Sequence, residues 1–139
     1  MNKKSILITG VSSGIGHGTL SYFVKKGFHV YGSVRNSKDA NKLKKIFREN
    51  FTPLIFDVTK EAQVKKAASI VKKDLKNSNL LALVNNAGVA ISGPILLQKV
   101  KDFEKQININ LNGAFRVLKF FAPLCGAEKN NNSKKGVIF

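Results

Sequence analysis

Apolar residues recur along this chain in two alternating rhythms. Short, nearly unbroken runs (Ser5 to Ile8, Phe28 to Val34, Pro53 to Phe56, Leu80 to Val84) are separated by stretches whose apolar residues return every three or four positions. The runs have the length and β-branched content of buried strands, and the stretches have the period of amphipathic helices. The first helix is expected over about 15–26, with Ile15, Leu20, Phe23 and Val24 inward and Gly27 as its C-cap. The second runs from Ser37, its expected cap, to Asn50, with Leu43, Ile46 and Phe47 inward. The third begins at Thr59 with a capping-box sequence and carries Val64, Ala67, Ala68, Val71 and Leu75 at helical spacing. A long helix follows from about Val100 to Leu124, with Phe103, Ile107, Leu111, Ala114, Leu118 and Phe121 on one side. A polar loop over residues 128–136 then leads into Val137-Ile138-Phe139, which reads as the opening of a fifth strand.

The order is βαβαβαβαβ. Nearly continuous apolar strands joined by crossover helices predict the α/β class, with a doubly wound parallel sheet covered on both faces. On this reading the sheet is truncated after the start of the fifth strand. No internal linker is visible, so residues 1–139 are expected to be one incomplete domain.

Charge changes the picture little. The formal net charge is +16, mostly from lysine, which invites a nucleic-acid reading. The lysines are scattered singly and in pairs over what would be solvated helix faces, and they do not alternate with aromatics. No specific nucleic-acid partner is expected, and no run of apolar residues reaches membrane-spanning length. One cysteine, Cys125, offers neither a disulfide nor a metal cluster, so a reducing, cytoplasmic setting and no metal site are expected.

Candidate chemistry begins at Thr9-Gly-Val-Ser-Ser-Gly-Ile-Gly16, between the first strand and the first helix. Gly10 allows a sharp turn, and Gly14 and Gly16 let the backbone approach a pyrophosphate. The helix N-terminus would stabilise the charge of that pyrophosphate. The spacing is G-x-x-x-G-x-G, not the commoner G-x-G-x-x-G.

With this spacing the chain resembles the short-chain dehydrogenase/reductase family. Further motifs follow in that family's order: Asp57-Val58 after the third strand, Asn85-Asn86-Ala87-Gly88 after the fourth, Asn110-x-x-Gly113 followed by Pro123, and Gly136-Val-Ile-Phe139 at the fifth. The resemblance spans essentially the whole chain. It implies a Rossmann-like NAD(P)-binding domain and hydride transfer between a carbonyl and an alcohol.

The same resemblance implies residue roles. Ser12, Ser13, Ile15 and Gly16 would line the adenosine ribose and pyrophosphate. Asp57 would accept from the adenine amino group, with Val58 beside it; a plain helix-leading cap is the alternative. Asn86, Ala87 and Gly88 would lie along the nicotinamide ribose, or else Asn85 and Asn86 serve as a strand end tied to Thr9. The second strand ends Val34-Arg35-Asn36 with no acid, and Arg35 is available to a 2′-phosphate, which favours NADP(H) over NAD(H).

Hydride transfer in this family relies on an Asn-Ser-Tyr-Lys set. Asn110 matches the asparagine. The serine and the Tyr-x-x-x-Lys pair belong after the fifth strand begins. Tyr22 to Lys26 fits that pair as text, but lies on the first helix and is set aside. The chain is therefore expected to hold a dinucleotide but to be inactive alone, taking a small carbonyl or alcohol substrate only if completed. The alternative is a non-catalytic or partner-completed nucleotide-binding module. Phe115, Phe120 and Phe121 would be partly uncovered, which leaves self-association through the helix at 100–124 open.

Overall fold

The computed structural model describes residues 4–127 and 135–139. The chain forms β1 (Ser5–Ile8), α1 (Gly14–Lys25), β2 (His29–Val34), α2 (Ser37–Phe47), β3 (Phe51–Ile55), α3 (Glu61–Leu75), β4 (Ala82–Val84), α4 (Val100–Ile107), α5 (Ala114–Phe121) and β5 (Val137–Ile138). A π-helical turn, Asn108–Gly113, joins α4 to α5. The strands make one parallel sheet in the order β3-β2-β1-β4-β5. This is the expected α/β, Rossmann-like doubly wound architecture, and the chain ends one residue beyond β5.

Alternation along each strand sorts apolar side chains onto the two sheet faces. Ile6, Ile8, Val30 and Val34 pack with Leu20, Ala40, Leu43 and Phe51 under α1 and α2. Leu7, Tyr31 and Leu54 point the other way and pack with Val64, Val71, Val117 and Phe121 under α3 and α5. Burying each of these larger side chains contributes roughly 1.5–3 kcal/mol, so the central strand β1 is held from both sides. Pro53 is accommodated because β3 is a sheet edge, where one row of N–H groups needs no partner. Beside it, Gly32 leaves room for Phe51: a Cβ there would lie 2.6 Å from the Phe51 ring.

Several expected boundaries shift for identifiable reasons. The cap of α2 is Asn36, whose Oδ1 accepts from the Asp39 N–H at 2.8 Å, not Ser37. The helix α3 starts at Glu61 because Thr59 is drawn into a turn by Asp57, its N–H and hydroxyl both donating to Asp57 Oδ1. β3 begins at Phe51, pairing with Val30, and β4 is shorter than its apolar run. Ile15 and Ile46, expected inward, are exposed.

The largest correction concerns the long helix. It is not one α-helix, and the first half of its expected inner stripe faces outward: Phe103, Ile107 and Leu111 are exposed, and Phe115 is too, whereas Leu118 and Phe121 pack on the core as expected. Gly113, Val117 and Phe121, spaced by four, face the core instead. Phe121 is fully buried, stacked on Phe56 with centroids 6.2 Å apart, and Phe120 is partly buried. The segment carries two apolar faces, and periodicity alone does not say which one the sheet takes. Most of the polar loop expected over 128–136 lies outside the described residues. Among the described residues, no helix is long and apolar enough to cross a membrane.

At the end of the sheet opposite the glycine turn, the buried Tyr31 hydroxyl donates to Asp74 Oδ2 at 2.5 Å. Burial, reinforced by the Asp74 hydrogen bond and charge, pushes the phenol well above its ordinary 10.0. The neutral phenol is the form that the fold favours. Its stabilisation is complete below the ordinary value and fades as pH rises beyond it. Tyr31→Phe should cost about 1–2 kcal/mol at neutral pH and should flatten the loss of stability above pH 10, both read by urea denaturation across a pH series.

Candidate functional site

Four loops leave the C-terminal ends of β1, β2, β3 and β4 and enclose a cavity of about 470 Å³. Between β1 and β4 the strand order reverses, so successive loops diverge and leave a crevice, the usual ligand position in an open parallel sheet. Gly10 and residues 12–16 form one wall, Ser33 to Arg35 a second, Phe56 to Val58 a third and Asn86 to Val89 a fourth.

The first wall is shaped by glycine. Gly10 has φ +70°, and a Cβ there would sit 2.9 Å from the Ala87 Cα. At Gly16 a Cβ would run into the Gly10 carbonyl oxygen and Asn86 Nδ2. Gly14, φ +57°, opens α1 towards open space. Ser13 stands at the N-cap without a side-chain capping bond, so the first N–H groups of the helix keep their capacity for an acceptor in the cavity. Ser33 holds this turn from behind: the Gly10 N–H donates to its Oγ at 2.9 Å, and the Val11 N–H to its carbonyl at 3.0 Å.

Thr9 and Asn86 join the first wall to the fourth. The Thr9 hydroxyl, fully buried, accepts from the Asn86 N–H at 2.9 Å and the Ala87 N–H at 2.8 Å. The Asn86 side chain donates back to the Thr9 and Gly10 carbonyls at 2.9 and 3.1 Å. Asn85 instead donates to the Ala114 carbonyl at 3.2 Å. The expected tie between the fourth strand end and Thr9 therefore exists, made by Asn86 alone of the two asparagines.

The cavity holds one cation and one anion among its lining residues, Arg35 and Asp57. Partial burial alone would raise the Asp57 pKa. Hydrogen bonds from the Thr59 N–H and hydroxyl, with the nearby charges of Lys60 and Arg35, outweigh that and hold the carboxyl below its ordinary range. Asp57 is therefore ionised at neutral pH. Its Oδ1 is engaged by Thr59 at 2.8 and 2.7 Å, which makes it a helix-leading turn residue as well as a cavity residue.

Every residue expected to touch a dinucleotide (Gly10, Ser12, Ser13, Gly14, Ile15, Gly16, Arg35, Asp57, Val58, Asn86, Ala87 and Gly88) lines this one cavity. Asn110 does not. Its carboxamide pairs with the Val89 backbone, accepting from N–H and donating to C=O, each at 2.8 Å. Five lining residues were not foreseen: Ser33, Val34, Phe56, Val89 and Ile109. Three of them, Val34, Phe56 and Val89, adjoin expected positions in sequence, and Ser33 lies two residues from Arg35. Ile109 reaches the cavity from the π-helical turn, which no local signal announces. Tyr22 is exposed, with the Lys26 ammonium 5.8 Å from its ring centroid, and neither residue lines the cavity.

Residues 4–138 match the family model for short chain dehydrogenases. This chain belongs to that family. Among short-chain dehydrogenases it is 37% identical over 132 residues to an NADPH-dependent 3-dehydrocapnine reductase from Ornithobacterium rhinotracheale, covering 95% of this chain and 47% of that one. Its fold is shared by many solved structures, among them two that are similar in sequence as well. An NADPH-bound carbonyl reductase from chicken fatty liver has a TM-score of 0.86 at 27% identity, covering 99% of this chain and 58% of that one. ElxO with NADP bound has a TM-score of 0.78 at 33% identity, covering 85% and 48%. The chain thus spans about half the length of such short-chain dehydrogenases.

The Thr9 hydroxyl carries the junction of the two walls. Thr9→Val keeps the shape but leaves the Asn86 and Ala87 N–H groups without an acceptor. It should cost about 2–4 kcal/mol in chemical denaturation, and Thr9→Ser should recover most of the loss.

Proposed function

We propose that residues 1–139 form one incomplete domain that holds NADP(H) for a short-chain oxidoreductase acting on a small carbonyl or alcohol. The observation that carries this reading is the convergence of every residue expected to touch the dinucleotide on a single crevice at the C-terminal ends of the strands. The residues present fit a dinucleotide. Gly10, Gly14 and Gly16 leave a cradle that side chains would fill or strain, and the α1 N-terminus faces it. Ser12, Ser13, Ile15 and Gly16 would border the ribose and pyrophosphate, Asp57 and Val58 the adenine, and Asn86 to Gly88 the nicotinamide ribose. A bound nicotinamide would supply hydride chemistry.

Preference for NADP(H) over NAD(H) is supported from two sides. Arg35 lines the crevice at the end of β2, where no acid stands to repel a 2′-phosphate. A relative is NADPH-dependent, and solved neighbours hold NADP or NADPH. Arg35→Ala should weaken NADPH binding about ten-fold or more and leave NADH nearly unchanged, measured by nicotinamide fluorescence titration. Equal losses for both cofactors would count against the assignment.

We read residues 1–139 as catalytically silent by themselves. Asn110, matched to the family's catalytic asparagine, spends its carboxamide on Val89, and Tyr22 and Lys26 stand away from the crevice. The purified 139-residue chain should bind NADPH yet reduce no carbonyl substrate in a coupled absorbance assay; clear turnover would sink this part of the reading. A second reading, a partner-completed nucleotide-binding module, is favoured by one observation. Val100, Phe103, Ile107, Leu111 and Phe115 present an exposed apolar stripe along α4 and α5. Self-association through that stripe would appear as a concentration-dependent mass in light scattering. Cys125 is buried and free, its thiol pushed up to about 11 by burial; we place the protein in the cytoplasm, where a lone cysteine stays reduced.

A further inference from the structure

Beyond β4 the Asn85 N–H still donates to the Phe139 carbonyl at 2.8 Å, and the Asn86 and Ala87 N–H groups go to Thr9, but from Gly88 to Ser92 the chain runs without a sheet neighbour. Its backbone groups still need partners, because this segment forms the fourth wall of the crevice. For Val89 and Ile91 the partners come from one face of the neighbouring helix. Asn110 pairs with both backbone groups of Val89. One helical turn earlier, Gln106 makes the same pairing two residues further along: Oε1 accepts from the Ile91 N–H at 2.9 Å, and Nε2 donates to the Ile91 carbonyl at 3.1 Å.

Four residues of α-helix rise about 6 Å, near the roughly 6.6 Å that two residues of extended chain advance, and although the π-helical turn opens at Asn108, the four hydrogen bonds show that the two rungs register with alternate residues of the loop. A carboxamide presents the same acceptor and donor as a peptide group, so residues 106 and 110 act as two rungs of a surrogate strand. The backbone N–H must meet the side-chain oxygen, which fixes each amide's orientation. Gln98 closes the return of the loop by donating to the same Ile91 carbonyl at 2.8 Å.

We infer that Gln106 is a positioning residue: with Asn110 it forms a two-rung carboxamide ladder that holds Val89–Ile91 as the rim of the crevice at its nicotinamide end. The assignment of that end rests on the NADP(H) reading above. Gln106 itself does not line the crevice. It acts through Ile91 on Val89, which does. A residue that merely filled space at position 106 would not need both a donor and an acceptor.

The test compares the wild-type chain with Gln106→Leu and Gln106→Glu, using amide hydrogen exchange and calorimetric titration with NADPH and with 2′,5′-ADP. Losing both bonds in Gln106→Leu should speed exchange at Ile91 about ten-fold or more. NADPH affinity should fall about five-fold, while 2′,5′-ADP, which reaches only the adenine end, binds as before. Gln106→Glu keeps the acceptor for the Ile91 N–H, so Ile91 protection should largely return while NADPH affinity stays below wild type. If Gln106→Leu fails to fold, this second variant still decides. Unchanged Ile91 exchange in Gln106→Leu, or equal losses for NADPH and 2′,5′-ADP, would overturn the inference. Wild-type chain that binds 2′,5′-ADP and NADPH not at all would overturn the cofactor reading and the rim's role with it, and Ile91 exchange would then report on the ladder alone.

Discussion

The crevice depends on one hydroxyl. At the point where β1 and β4 lie side by side, the chain leaves the two strands in different directions, and the peptide groups just beyond the sheet lose their ladder partners. Thr9 Oγ1 accepts two of these N–H groups, from Asn86 and Ala87, and Asn86 returns its own donors to Thr9 and Gly10. Thr9 itself has no solvent exposure, so a hydrogen bond unmade at its hydroxyl has little water to replace it. Once the two loops are fixed this close, side chains no longer fit between them. Gly10 and Gly16 are required by that closeness as much as by any ligand.

The same geometry sets the electrostatics. Because Ser13 does not cap α1 with its side chain, the positive end of that helix faces the crevice. Arg35 adds a full charge on the second wall, and Asp57 places an ionised carboxylate on the third. Phosphate-attracting groups and a hydrogen-bond acceptor thus stand on different walls of one space. That arrangement suits an elongated ligand with anionic groups at one stretch and an amino-bearing base at another.

The sheet and the crevice were legible because their signals are local. A strand ending in Thr-Gly, a strand ending without an acid and a strand ending in Asn-Asn-Ala-Gly each report on a loop at the same edge of the sheet. Once the strands are parallel, those loops must converge. The features that were not legible depend on partners distant in sequence or on competition between neighbours. Ser33 matters because its hydroxyl meets Gly10. Thr59 looked like a helix cap, but Asp57, which precedes it by two residues, takes both of its donors. The apolar stripe from Phe103 to Leu111 has good helical spacing, yet it stays exposed, and the core takes the face through Gly113, Val117 and Phe121, where the backbone comes close at Gly113. A Cβ at Gly113 would meet Val58 Cγ2 at 2.6 Å.

That close approach gives the interruption of the helix at Asn108–Gly113 a physical reason. An uninterrupted α-helix keeps its faces in fixed phase, whereas a π-helical turn inserts an extra residue and rotates the helix beyond it. Here Gln106, before the turn, and Asn110, within it, reach the fourth wall and the loop that extends it. Arg116, after the turn, reaches the third: it places both terminal nitrogens on Asn108 Oδ1 at 3.1 Å and one on the Val58 carbonyl at 3.4 Å. Ala114 receives Asn85 from the end of β4. One helical segment therefore fixes two opposing walls of the crevice at once, through side chains that touch the backbone of each.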